Sequence, residues 1–263
     1  MRVIFFVLAM SWQMAASAQS FDLSHTAFTD VLNDHVEVYD DGLKSAVSYQ
    51  QLAQNRKALG KYLASLSAVE PEQYESWTHD QQLAFLINAY NAFTLQLIID
   101  NIDKFESGDA DSIRDLGGLF SSPWEKSFFT LLGEKRTLDW VEHEKIRVDF
   151  DEPRIHAALV CAAASCPKLR AEAFTGESLE TQLEDQMITF LSDRDKNGID
   201  DKGIYLSKIF DWYREDFGGL RDYLRAYSRA LSGDSGSGDN MNFQYLDIRF
   251  VDYNWKLNNL ENC

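Results

Sequence analysis

From Leu83 to Ile99 the chain is apolar at nearly every position, where a surface helix would carry a single apolar stripe. The pattern predicts a helix covered on all sides. Ahead of it, Thr78-His-Asp-Gln81 has the spacing of a capping box, which starts the helix at that point. Its two asparagines, Asn88 and Asn91, must then find hydrogen-bond partners in the interior. Upstream, Val47 to Ala68 shows apolar residues at helical spacing and predicts another helix packed nearby.

Downstream the periodicity alternates between helix and strand. Phe128 to Thr137 reads as a hairpin turning near Gly133, followed by a helix holding Glu142 and His143. Ile155 to Ala164 has helical propensity throughout and stops before Pro167, which puts Cys166 at a helix end or turn. Glu177 to Leu191 predicts an amphipathic helix, Gly203 to Ser207 a short strand, and Lys208 to Phe217 a helix closed by Gly218 and Gly219. Phe243 to Trp255 alternates apolar and polar residues and predicts a closing strand. The Gly/Ser-rich stretch 232–240 predicts a flexible loop inside the domain. The expected fold class is α+β, a mostly helical single domain over 19–263 with a small antiparallel sheet.

The first residues change the compartment. A basic start, an apolar run and Ala16-Ser-Ala18 have the layout of a signal peptide over 1–18, cleaved after Ala18, so the expected location is periplasmic or secreted. With 45% hydrophobic and 13% aromatic residues the remainder can build a substantial core. A net charge of −17 repels phosphate backbones and anionic lipid, which argues against nucleic acid and membrane surfaces as partners. No later stretch approaches the roughly 20 consecutive apolar residues of a membrane helix, which argues against membrane insertion.

Chemistry concentrates between His156 and Cys166, which enclose Cys161, with His143 just upstream beside Glu142. Three cysteines in an oxidising compartment allow one intramolecular disulfide and leave a thiol over. A bond from Cys161 or Cys166 to Cys263, the last residue, would staple the tail and free the other cysteine. Cys166 is the candidate nucleophile, its bland alternative being a disulfide partner or a small buried hydrophobe. Cys161, set among alanine, leucine and valine, reads as core packing or a resolving thiol. His143 is the first candidate for general base and His156 the second, with Glu142 or Asn88 orienting the imidazole.

Three other patterns are weaker. The cysteines and histidines lack the tight spacing of zinc ligands, so neither metal nor cofactor is expected there. Asp193 to Ile204 begins like a calcium loop but has isoleucine at position 12 where a glutamate belongs, and reads as an acidic turn. Phe210, Trp212, Tyr213 and Phe217 read as core aromatics, with a cleft wall as the functional alternative.

Five motifs in order, Ile87-Asn-Ala-Tyr-Asn91, Leu138 through Arg147, Pro153-Arg-Ile-His156, Ser165-Cys-Pro167 and Ile209 through Gly218, resemble the DUF547 family, a domain of unknown function. The resemblance spans roughly residues 28 to 258. It implies that Asn88, Asn91, Glu142, His143, Arg147 and His156 are motif residues, and it suggests a papain- or transglutaminase-like character. The resulting expectation is an exported thiol-dependent hydrolase or acyltransferase acting on a peptide or small amide substrate. The alternatives are a non-catalytic binding domain with structural cysteines and a thiol redox protein.

Overall fold

The structure, a computed structural model, describes residues 20–118, 121–233 and 243–260. Residues 1–18, expected to be a signal segment, residues 234–240 of the stretch expected to be a loop, and Cys263 lie outside the described residues.

The helix His79–Ile99 is the centre of the molecule. Thr78 Oγ1 accepts from the Gln81 amide at 3.3 Å while Gln81 Oε1 accepts from the Thr78 amide at 2.9 Å, so the expected capping box forms. Nearly every residue from Leu83 to Ile99 is buried. By length and composition this helix could cross a bilayer, yet protein covers its faces, as befits the core helix of a domain. The predicted upstream helix is broken at Asn55 and Arg56 into Tyr49–Gln54 and Lys57–Ser67, and both pieces pack on the central helix.

Among the described residues, seven short strands make three sheets. β1 (Val36–Tyr39) and β2 (Lys44–Val47) pair antiparallel, as do β3 (Phe129–Leu131) and β4 (Glu134–Arg136). The β3–β4 turn falls on Leu132 and Gly133, both at positive φ, the conformation that matches a two-residue turn to the twist of its strands. The third sheet joins β5 (Gly198–Asp200) and β6 (Gly203–Leu206) as a hairpin. β7 (Ile248–Phe250) adds to it in parallel, so the closing strand is shorter than its alternation suggests and one pairing is not antiparallel. The fold is a mostly helical α+β domain.

Two apolar clusters underlie it. The larger surrounds the central helix; the smaller gathers Phe190, Phe210, Phe217 and Leu224 around the helix Leu179–Ser192 and the third sheet. Tyr253 packs against both, and a cleft opens where they meet.

The helix predicted over Ile155–Ala164 is a single turn, Ile155–Ala158, and Leu159 is already extended. The reason lies on the central helix. Asn91 donates to the Ala158 carbonyl at 3.0 Å and accepts from the Val160 amide at 2.9 Å, replacing the bonds that would continue the helix. The acidic stretch after Asp193 is a turn. Asp193 accepts from the Asp195 amide and pairs with Lys196 at 2.7 Å, while Asp195 pairs with Lys44 and Asp200 with Arg249, so lysine and arginine occupy these carboxylates.

Candidate functional site

The cleft has a volume of about 250 Å³. One wall is the segment Trp140–Ile146, wound as a π-helix with the Arg147 amide reaching back to the Glu142 carbonyl. A π turn holds more residues than an α turn and is frequent at functional sites. Here Asp139, Glu142 and His143 all face the cleft. Glu142 does not orient His143. It is buried, and its carboxylate accepts side-chain hydrogen bonds from Tyr90 and Tyr213. Burial pushes both phenols far above their ordinary range, and the charge of Glu142 pushes the same way.

His143 is held by a cation. Arg147 Nη1 lies 3.0 Å from His143 Nδ1, and Asp139 Oδ1 lies 3.5 Å from Nε2. A guanidinium has only donors, so Nδ1 must accept and the neutral ring carries its proton on Nε2. In this arrangement the lone pair needed by a general base is occupied, and the role expected of His143 requires Arg147 to withdraw.

Arg147 is fixed in turn by Asp216, through Nε to Oδ2 at 2.6 Å and Nη2 to Oδ1 at 2.7 Å. The same Oδ2 accepts from His156 Nε2 at 2.7 Å. Burial by itself would raise the Asp216 pKa, but the bonds from Arg147 and His156 outweigh it and hold the carboxylate below its ordinary value. His156 is 3% exposed, its ring stacked on Tyr213 at 3.9 Å between centroids, and burial lowers its pKa despite Asp216. It is a neutral imidazole whose Nε2 proton points at a carboxylate, leaving Nδ1 as the lone pair. The second candidate of the sequence thus has the orienting carboxylate, and it comes from the Asp216-Phe-Gly218 motif.

Asn88 is not an orienter. It donates to the Phe174 carbonyl at 2.7 Å and accepts from the Phe174 amide at 2.9 Å, which uses both ends of the amide to fasten a distant loop to the central helix.

The cysteines exchange the places expected of them. Cys161 and Cys166 form a disulfide, with Cα atoms 6.2 Å apart. Cys161 is partly exposed and lines the cleft, whereas Cys166 is 3% exposed behind it. Ala162 sits in the left-handed region at φ 60°, and the amides on either side of it converge on the Cys166 sulfur, from Cys161 at 3.2 Å and from Ala163 at 3.3 Å. The Tyr253 hydroxyl lies 3.3 Å from both sulfurs. Among the described residues, neither sulfur has an imidazole as hydrogen-bond partner. The pairing through Cys263 is not the one formed, since each of these sulfurs is bonded to the other.

Trp212 and Tyr213 wall the cleft, while Phe210 and Phe217 belong to the smaller core. Tyr253 and Trp255, read only as strand residues, complete the wall. Their aromatic density after residue 243 was the available signal.

Fold and site together define a mostly helical α+β domain with a disulfide set in an aromatic cleft. Residues 74–191 match the sequence model of DUF547, described as a protein of unknown function. The match contains four of the five motifs; Ile209 through Gly218 lies beyond it. No curated protein and no solved structure matches the chain.

Proposed function

We propose that the cleft carries out thiol–disulfide exchange at Cys161–Cys166. The observation that carries this reading is the unequal placement of the two sulfurs, one facing the cleft and the other buried beneath three donors. A substrate thiolate entering the cleft attacks Cys161 Sγ. The sulfur–sulfur electron pair leaves on Cys166, giving a mixed disulfide on Cys161 and a thiolate on Cys166. A leaving thiol of low pKa departs faster, and the two amides with the Tyr253 hydroxyl stabilise that thiolate. A second substrate thiolate then attacks the substrate sulfur of the mixed disulfide, releasing oxidised substrate and the Cys161 thiolate. An exported chain, as the first residues suggest, would meet the oxidising conditions under which such a pair is oxidised.

A second reading is favoured by the His156–Asp216 pair in the same cleft. After reduction, Cys161 would attack the carbonyl of a peptide or small amide, and His156 Nδ1 would take the thiol proton. This is the hydrolase expected from the sequence, with Cys161 in place of Cys166.

Equilibration against glutathione buffers separates these readings from a structural staple. Exchange predicts a reduction potential above about −300 mV, the level below which structural disulfides lie, and a mixed disulfide trapped on Cys161 in Cys166→Ala. A lower potential with no trapped adduct would make the pair a staple. Turnover of amides by the reduced protein, lost in Cys161→Ser, would select the hydrolase.

A further inference from the structure

Glu142 is 6% exposed and belongs to no ion pair among the described residues. Burial raises the pKa of Tyr90, Tyr213 and Tyr253, and the Glu142 carboxylate acts in the same direction on all three. A buried carboxylate is ordinarily neutralised or paired with a cation. The nearby guanidinium of Arg147 is engaged by both oxygens of Asp216. Asp139 adds a second negative charge to the lining.

The same cleft carries a continuous aromatic wall. Trp212 and Trp255 stack at 5.7 Å between centroids, and Tyr253 lies 4.9 Å from the first and 4.6 Å from the second. Trp212 is 47% exposed. Rings of this lining already attract cations, with Arg147 5.3 Å from the Tyr213 centroid and Arg114 5.2 Å from that of Trp255. Aromatic walls around a buried negative charge are the surroundings that favour a desolvated cation.

We propose that the cleft binds its ligand through an ammonium group, primary or quaternary, held between the Trp212–Tyr253–Trp255 wall and the Glu142 carboxylate. The assignment uses the cleft of the exchange reading and deepens it. Glu142 repels an incoming thiolate, and a substrate that brings its own ammonium offsets that repulsion. The fitting substrate class is an aminothiol, or a peptide whose cysteine lies beside a free amine.

The test is a tryptophan-fluorescence titration of the native, oxidised protein with choline and with 3,3-dimethylbutan-1-ol, which has the same shape without the charge. Choline should bind saturably and at least about tenfold more tightly than the alcohol. Glu142→Gln should lose about tenfold in choline affinity and Trp212→Ala roughly fivefold. Equal responses to the two probes, or an affinity unmoved in both variants, would overturn the proposal. Should Glu142→Gln fail to fold by circular dichroism, Trp212→Ala and the neutral probe decide, because the exposed indole is dispensable to the core.

A second arm follows disulfide reduction by cysteamine, 2-mercaptoethanol and 3-mercaptopropionate at matched thiolate concentration, with cysteamine expected to be fastest. Choline binding without exchange by any thiol leaves the ammonium site standing and removes the exchange reading. Equal rates for the three thiols with no choline binding do the reverse.

Discussion

Arg147 Nη1 lies 3.0 Å from His143 Nδ1, one turn along the same segment, and the guanidinium can only donate there. Long-range proton–nitrogen NMR should therefore find His143 as the neutral Nε2–H tautomer at mildly alkaline pH. Arg147→Met should release the ring into a mixture of tautomers. It should also cost about 1 to 3 kcal/mol of stability, since Asp216 loses a bidentate, charge-assisted partner. An Nδ1–H tautomer in the unmodified protein would contradict the arrangement.

Among the described residues, Tyr253 is the one side chain hydrogen-bonded to both sulfurs. In the reduced protein, Tyr253→Phe should raise the Cys166 pKa by roughly 1 unit, about 1.4 kcal/mol, by removing one of three donors. Ultraviolet titration of the thiolate measures this directly, and exchange should slow with it. A titration identical to that of the unmodified protein would leave the hydroxyl without influence on the thiolate.

Asn88 and Asn91 hold backbone rather than an imidazole. Each alanine variant orphans a buried carbonyl and a buried amide, so each should lose about 2 to 4 kcal/mol in urea unfolding. Asn88→Ala should leave the reactivity of the Cys161–Cys166 pair unchanged while it is folded. Unchanged stability together with lost reactivity would return Asn88 to the orienting role.

His25 makes the fold sensitive to acid. Its ring is 1% exposed, Nδ1 lies 2.7 Å from the Tyr62 hydroxyl, and burial lowers its pKa to about 4 against the pull of Asp22. The unfolded chain, with the ordinary value near 6.5, takes up the proton first. Stability should thus be complete above pH 6.5, fall as pH drops towards 4, and level off below, a loss of about 3 kcal/mol. Urea midpoints across this range should flatten in His25→Gln. An identical pH profile in that variant would assign the acid sensitivity to other groups.

The central helix, its capping box and the turn at Gly133 were legible in the sequence because each is decided by residues within a few positions of one another. The motif residues around His143 and His156 were legible as types. Their partners were not, because Asp216 meets His156 across sixty positions and Arg147 across sixty-nine. The end of the helix at Ala158 was hidden for the same reason. Local propensity continues it, and only Asn91, far back on the central helix, stops it.

By itself, the amino-acid sequence determined the class of fold, the buried helix at its centre and the concentration of thiols and imidazoles near residue 160. Tertiary structure decided which sulfur faces the cleft, which histidine has a carboxylate and where the aromatic wall stands. The physical reason is that propensity and periodicity act over a turn or a strand. The direction a side chain faces, by contrast, depends on packing and hydrogen bonds between segments that meet only when the chain is folded.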